Sequence, residues 1–189
     1  MMQTTLRKIR AAGPCGMRLD DGQRVGYLKL RHHLGKGYGD DTPVDIATIL
    51  DSNGFDDAVW CLRAVDGHAR EKRLYAVWCV REVQSLMKDP CSVTSLDVAE
   101  RYANGAASKC ELDAAWSAAY DAARYAAYAS YAAWAAAWAA WAAADDAARY
   151  AADDAANAGA SRAKQAAELR RICAEMAAGR DPYPTIKAQ

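Results

Sequence analysis

The sequence predicts an all-α fold, a multi-helix bundle with short N-terminal helices and long alanine-rich helices that carry an aromatic stripe. Three observations support this. The 189 residues include 45 alanines but only 27 leucines, isoleucines, valines and phenylalanines together, and alanine is the strongest helix former. Six tryptophans and ten tyrosines supply the missing apolar bulk. No stretch alternates apolar and polar residues as a half-buried strand does. We therefore expect no strands, and helices whose aromatic rings pack against alanines of their neighbours.

The N-terminal segment, residues 1–54, predicts three short helices. Thr4 or Thr5 can cap the first, and the Gly-Pro pair that follows ends it. The double aspartate at Asp20 opens the second, which runs to the glycine-rich loop after it. In the third, over 42–51, threonine, proline and an acid follow in the order typical of a helix start.

Residues 55–106 predict three central helices. Asp56 caps the first, which an Asp-Gly pair ends. The next is apolar on all sides over 74–80, a pattern typical of an enclosed helix, so we expect it to be the hub of the fold. Asp89-Pro90 ends that helix, and Thr94 or the serine after it starts the third.

The segment over 108–179 predicts long alanine-rich helices. Ser108 and Glu111 form a capping box, and 27 of the 47 residues from 114 to 160 are alanine. One unbroken helix of that length would extend roughly 70 Å, whereas a domain of this size is about 40 Å across. We therefore predict a break near Asp145 and a last amphipathic helix that ends at Gly179. A single domain, 1–180, then precedes a tail, 181–189.

One face of the alanine-rich segment carries six aromatic residues, which lie within about 80° of each other at 100° per residue. We expect these rings to pack on alanines of a neighbouring helix. The alternatives are an exposed surface for a protein partner and a stacking platform for bases. Residues 125–144 contain no Lys or Arg, which argues against nucleic acid. The six residues are Trp116, Tyr120, Tyr131, Trp134, Trp138 and Trp141.

The turn before the predicted hub helix is a candidate anion site. It places Arg70 and Arg73 in the first turns of a helix, where the macrodipole is positive and cations are disfavoured. A phosphate or a partner carboxylate would remove that conflict, with Arg63, His68 and Tyr75 contributing. The alternative is an internal network of salt bridges with nearby acids, namely Asp56, Asp57, Asp66 and Glu71.

Paired aspartates further along the chain are a weaker candidate. Carboxylate pairs on one helix can hold Mg²⁺. Arg149 lies four residues from the acids on either side of it, which is the spacing of an ordinary charge ladder on a solvated helix. We expect no metal, no cofactor and no enzymatic activity, and a metal-dependent enzyme remains the third alternative. The acids are Asp145, Asp146, Asp153 and Asp154.

Charge is balanced over the whole chain but not locally. The 24 basic and 24 acidic residues give a formal net charge of zero, so any electrostatic steering is local. Between Arg7 and Lys36 eight Lys and Arg residues stand against two aspartates. A solvated face is the ordinary interpretation of such a segment, and a docking surface for an acidic protein or nucleic acid is the alternative.

The termini and cysteines predict a cytoplasmic location. The segment 1–12 has no apolar run of the kind found in secretory signals. The six cysteines lack close pairs, which is typical of reduced thiols. Residues 125–144 are uncharged over the length of a membrane span, but they contain no Leu or Ile and their rings run through the middle of the stretch. We therefore expect no membrane association.

The central region resembles a known family. Residues 56–83 are similar to an alanine- and aromatic-rich helical family of bacteria and phages, some members of which are labelled immunity proteins, and residues 97–105 extend the similarity. Ala69 departs from that family, which usually has an acid at this position. The resemblance spans roughly 50–158 and implies a protein that binds or neutralises something. The residues that carry it in the central turn are Trp60, Leu62-Arg63, Gly67-His68, Arg70-Glu71 and Arg73-Leu74.

Taken together, these patterns predict a non-enzymatic binding and sequestration protein of microbial conflict. In the first form it is an immunity factor or a phage-encoded inhibitor that masks a protein target of a bacterial defence system, with a homo-oligomer as one possible state. The alternative is a sponge that sequesters an anionic nucleotide signal. The expected ligand- or partner-binding residues are Arg63, His68, Arg70, Arg73, Tyr75, Trp134, Trp138 and Trp141.

Overall fold

The computed structural model describes residues 1–14, 26–87, 89–125, 147–157 and 160–184, and helices dominate these ranges. The all-α prediction is confirmed. Short 3-10 turns follow the fourth and fifth helices, at Leu62–Ala64 and Gln84–Leu86. The helices are α1 (Leu6–Ala11), α2 (Gly26–Leu34), α3 (Ile46–Asn53), α4 (Phe55–Cys61), α5 (Ala69–Arg81), α6 (Pro90–Ala103), α7 (Lys109–Tyr125), α8 (Ala147–Asn157) and α9 (Arg162–Ala177).

A small sheet departs from the expectation of no strands. Strand β1, Gln3–Thr4, pairs antiparallel with β2, Val44–Asp45. The Thr4 hydroxyl donates to the carbonyl of Ala64 at 2.6 Å, so Thr4 is buried in the sheet and Thr5 caps α1 instead. Two-residue strands are too short to leave a sequence period, which is why the pattern did not reveal them.

The starts of three helices differ from the sequence prediction. Asp56, predicted as the cap of the fourth helix, lies in the first turn of α4, which begins at Phe55 with Gly54 in the N-cap position. The third predicted helix loses its first residues to β2, so α3 begins at Ile46 with Asp45 in the N-cap position. The Asp89-Pro90 pair starts a helix instead of ending one. The Asp89 carboxylate accepts from the Ser92 N–H at 2.9 Å, and Pro90 occupies the first turn of α6. Aspartate before proline fits both a helix end and a helix start.

Side chains cap two other helices, and the sequence predicts one of these caps. Glu111 N–H donates to the Ser108 hydroxyl at 3.2 Å, and Ser108 N–H donates to the Glu111 carboxylate at 2.7 Å, which completes the capping box of α7. Ser161 caps α9 by accepting from the Lys164 N–H. The Ser108 box therefore starts α7 where the sequence predicts, and the Ser161 cap is a finding of the structure.

The fifth helix is the hub that its apolar run predicted. Six of the seven residues from 74 to 80 are buried, and the remaining one, Trp78, is partly buried against the same core. Helix α5 packs against α6, α8 and α9. An apolar surface around the whole helix needs neighbours on several sides, so this packing follows directly from the sequence.

Alanine forms the contact surface of α8 on α5. Ala152 and Ala155 of α8 are fully buried. Small side chains allow two helix backbones to approach closely, and larger rings and branched side chains of α5 then fill the space between them. Ala152 and Ala155 belong to the same core cluster as Tyr75 of α5.

Several predictions fall on residues that the structure does not describe. They include the aromatic residues of 126–146 and the expected helix break at Asp145. Within the described residues, Trp116 and Tyr120 of α7 are half-buried with ring centroids 5.5 Å apart. No helix in the described ranges combines the length and apolar character that a membrane crossing requires.

Candidate functional site

The first turn of α5 begins at an unusual backbone position. His68, the residue before the helix, has φ 55°, and Gly67 before it has φ 69°. Histidine is one of the residue types that adopt this left-handed conformation more readily than most. The His68 Nδ1 lies 3.8 Å from the Glu71 carboxylate, one turn along. Glu71 is an acid at the positive end of the helix, so it complements the macrodipole.

Arg70 is held by internal partners from the end of α6 and from the C-terminal tail. Its Nε and Nη2 donate to the Asn104 side-chain oxygen at 3.1 and 2.9 Å. Its Nη1 donates to the Asp181 carboxylate at 2.8 Å, and Nη2 also donates to the carbonyl of Tyr183 at 2.5 Å. The side chain is 25% exposed. The guanidinium therefore joins α5 to the chain beyond α9.

The salt-bridge alternative proposed from the sequence named other partners for this turn. Arg70 Nη1 does lie 3.7 Å from Glu71, but the remaining acids lie elsewhere. Lys8 pairs with Asp66 at 2.6 Å, Arg162 lies 3.8 Å from Asp56, and the Asn53 amide donates to Asp57 at 2.7 Å. The closest acid of Arg70 is Asp181, which is 111 residues away in the chain.

Arg73, one turn after Arg70, is buried without a polar partner. Only 4% of the residue is exposed. Its guanidinium carbon lies 4.6 Å from the ring centroid of Tyr102, and the buried Nε has no hydrogen-bond acceptor. Burial lowers the pKa of this guanidinium below its ordinary value. A cation–π contact offsets only part of the cost of removing a charge from water.

The other two residues predicted for this site make contacts of their own. The Arg63 guanidinium stacks 4.4 Å from the centroid of the Trp60 ring. Tyr75 is fully buried, and its hydroxyl donates to the Gln165 carbonyl at 3.2 Å. A ring in the core has no face free for stacking on a ligand. Arg70 and Arg73 instead both contact the end of α6, at Asn104 and Tyr102. Glu71 lies 3.7 Å from Arg70 and 3.8 Å from His68.

The C-terminal tail completes this site, and the sequence prediction missed it. Tyr183 donates from its hydroxyl to Glu168 at 3.1 Å, and Arg171 donates to the Pro182 carbonyl at 3.1 Å. The sequence Asp181-Pro182-Tyr183-Pro184 carries a signal in retrospect, because two prolines stiffen a segment and its tyrosine supplies an apolar anchor. We name residues 180–184 the strap.

The remaining predicted partner residues, Trp134, Trp138 and Trp141, lie outside the described residues, and so do Asp145 and Asp146. Of the acid ladder, Asp153 pairs with Arg162 at 2.7 Å. Across the described ranges, no group of three or more His, Cys, Asp or Glu side chains is arranged to hold a metal ion.

The described cysteines are free thiols. Burial raises the pKa of Cys61 and of Cys79 to about 12, and that of Cys173 to about 11. These three side chains belong to the core. At such pKa values the reactive thiolate is scarce near neutral pH, so these cysteines act as apolar packing groups.

A second candidate site lies at the C-terminal end of α2. Most described Lys and Arg side chains form an ion pair with a carboxylate. The exposed cations Arg31 and Lys36 form none with any described residue. Together with His32, Leu28 and Gly35 they line an open hollow of about 410 Å³. We name these five residues the α2 basic surface.

The acids near the α2 basic surface are already engaged. Asp40 pairs with Arg10, and Asp41 pairs with Arg7 at 2.5 Å. The Arg10 guanidinium holds the pKa of Asp40 below its ordinary value, and Arg31 contributes through a longer-range attraction. Residues 26–39 contain no acid at all. Arg31 and Lys36 are exposed and form an ion pair with none of the acids that the structure describes.

Comparison of the chain with protein-family models, with curated proteins and with solved structures gives no match. The resemblance to the immunity family therefore stays a prediction from the residues quoted above. Function has to be argued from the two charged sites.

Proposed function

We propose that this chain is a binding protein that holds an acidic protein partner on the α2 basic surface. The observation that carries the proposal is the hollow beside Arg31 and Lys36, two exposed cations that form no ion pair in the described chain. Elsewhere in the described chain, basic side chains are mostly paired with acids of the same molecule. Cations left unpaired beside a concave surface are arranged for a partner's carboxylates.

The α2 basic surface has the physical character of a docking site for acidic groups. Leu28 is half-buried and gives the hollow an apolar floor. Arg31 presents a planar fork that suits a carboxylate, while Lys36 adds a mobile point charge. Unlike charges across an interface raise the association rate and select the orientation of the partner. The neutral balance of the whole chain keeps this attraction local.

The cations at this position also have a structural explanation. They lie in or just beyond the last turn of α2, where basic side chains complement the macrodipole. That role does not require a hollow or the absence of acids over 26–39. The structural role and the binding role therefore differ in what they predict for a charge-neutral variant.

The biological setting follows from the resemblance. A partner within a bacterial defence system, held by an immunity factor or by a phage-encoded inhibitor in the cytoplasm, fits a small protein that works by occupying a surface. Sequestration of a partner requires an exposed surface that binds the partner, and it requires no catalytic groups. A homo-oligomer would present several copies of the same basic surface and increase avidity.

Titration with poly-L-glutamate at low salt tests the acidic-partner proposal. We expect Arg31→Gln with Lys36→Gln to weaken binding about fivefold, in line with two partly exposed charge contacts. The matched control is Lys109→Gln with Lys164→Gln, which removes two exposed cations that already pair with Asp113 and Glu82. The control should bind like the wild type.

Two results would contradict the proposal. One is equal binding of poly-L-glutamate by the α2 variant and the control. The other is tighter binding of the wild type to single-stranded DNA of the same charge than to poly-L-glutamate, which would assign the surface to nucleic acid.

A second function, the sequestration of an anionic small molecule, is favoured by a separate observation. Arg73 is a buried cation with no polar partner at the predicted anion site. The base-stacking role expected of Tyr75 has no support from its position in the core.

A further inference from the structure

The pair of arginines on α5 is in an unfavourable place unless an anion joins it. Arg70 and Arg73 are three residues apart, so their side chains lie on the same face of the helix. Both lie near the positive end of α5, where a cation is destabilised by the macrodipole. Arg73 is also removed from water, with 4% of its surface exposed. Two like charges in such a position repel each other, and burial strengthens the repulsion.

Among the described residues, Arg70 has an anionic partner and Arg73 has none. The Asp181 carboxylate takes one branch of the Arg70 fork at 2.8 Å. The described chain provides no acid and no hydrogen-bond acceptor to Arg73, whose close polar neighbourhood is the Tyr102 ring. The end of α6 contributes Asn104, whose side-chain oxygen accepts hydrogen bonds from Arg70 Nε and Nη2. One cation of the pair is therefore satisfied and the other is not.

The strap holds Asp181 in place through contacts that are separate from the arginine pair. Asp181 Oδ1 accepts from the Tyr183 N–H at 2.9 Å, and Tyr183 is anchored on Glu168 and under Arg171. The strap begins just after Gly179, whose φ of 71° lets the chain turn away from the end of α9.

We propose that Arg70 and Arg73 form a binding site for one oxyanion group, a carboxylate or a phosphate of a ligand, and that Asp181 is its internal competitor. The ligand group replaces Asp181 on Arg70 and at the same time supplies the acceptor that Arg73 lacks. Two guanidinium groups on adjacent turns can share the oxygens of one such group through charge-assisted hydrogen bonds. The site is independent of the α2 basic surface, so either proposal can fail without the other.

The test measures binding of inorganic phosphate and of acetate to the full-length chain, with chloride at equal ionic strength as the reference. One of these two ions will bind more tightly than the other, and we expect Asp181→Asn to bind that ion at least about fivefold more tightly than the wild type does. The reason is that residue 181 loses the charge with which it competes for Arg70, while the Asn oxygen still accepts a hydrogen bond from the Tyr183 N–H. Arg73→Met should lose about tenfold or more of that affinity. Arg170→Met, which removes an exposed arginine paired with Asp51, is the control and should not change it.

Melting temperature separates a lost site from a lost fold. Arg73→Met removes an unpaired buried charge and keeps an apolar side chain of similar length, so we expect this variant to melt at or above the wild-type temperature while it no longer binds the ion. Whichever of phosphate and acetate binds more tightly identifies the chemical class of the ligand. The proposal is overturned if neither ion binds Asp181→Asn, or if Arg73→Met binds as the wild type does.

Discussion

Tyr75 illustrates how a single residue can be misassigned from sequence and placed by packing. Its position beside the arginines suggested a stacking role, but the ring is fully buried and its hydroxyl reaches the carbonyl of Gln165 on α9. The bond joins the hub to a helix 90 residues away in the chain. Residue type and local spacing carry no information about such a partner.

We expect Tyr75→Phe to lower the free energy of unfolding by about 1 kcal/mol, because the ring stays and one buried hydrogen bond is lost. Urea unfolding followed by circular dichroism measures the change. Tyr38→Phe is the matched control, since the Tyr38 hydroxyl donates to the Pro43 carbonyl at an exposed site. Equal stability of the two variants would show that the Tyr75 bond contributes nothing specific.

Several exposed carboxylates make stability dependent on acid pH. In each, a hydrogen bond to the charged form lowers the pKa below its ordinary value, and for Glu111 the largest cause is the Ser108 N–H. A group with a lowered folded pKa stabilises the fold above its unfolded pKa, and this stabilisation is lost as the pH falls through the folded value. The carboxylates are Asp40, Asp66, Glu111, Glu175 and Asp181.

The free energy of unfolding should therefore be flat from neutral pH down to near 4.5, the ordinary value of a glutamate, and should fall below it. Glu111→Gln should make the fall in the free energy of unfolding at acid pH less steep, because one titrating group is removed. Chemical unfolding at a series of pH values measures the slope. If the free energy of unfolding falls as steeply at acid pH in Glu111→Gln as in the wild type, the Ser108–Glu111 capping box does not contribute to the pH dependence of stability.

At the scale of the element, the predicted caps locate the starts of α1 and α7 and fail at α3, α4 and α6. The box at Ser108 starts α7 as predicted, whereas the Ser161 cap of α9 is shown only by the structure. Asp89-Pro90 fits a helix end as well as a helix start, and the structure uses it as a start. Choosing between the two needs the tertiary packing of α6 on α5, which local sequence does not contain.

Alanine in α8 is a requirement of packing as well as of helix propensity. Ala155 is fully buried in the core, whereas Ala163 at the start of α9 is exposed. We expect Ala155→Leu to destabilise the fold by about 1 to 3 kcal/mol through overpacking, and Ala163→Leu to change stability by less than about 0.5 kcal/mol. Thermal unfolding measures both. A neutral Ala155→Leu would mean that α8 does not pack closely on the hub.

At the scale of the whole molecule, composition and periodicity were enough for the fold class and for the hub over 74–80. They were not enough for the candidate site. Arg70 and Arg73 were identified because cations at a helix start break a local rule, and that signal is present in the sequence. Asp181 and Asn104 were not, because their proximity arises only when the strap and the end of α6 meet on α5. The hollow at Arg31 and Lys36 likewise could not be predicted, because it depends on the exposure of the C-terminal end of α2 in the folded chain.

The central claim is that cations without an internal partner mark the surface through which this protein binds. Native mass spectrometry of the chain purified from its own host tests it most directly, with wild type, Arg31→Gln with Lys36→Gln, and Lys109→Gln with Lys164→Gln compared side by side. The claim predicts an acidic protein at fixed stoichiometry on the wild type and on the Lys109, Lys164 variant, and its loss from the Arg31, Lys36 variant. Identical bound masses in all three spectra, or a bare chain in all three, would contradict it.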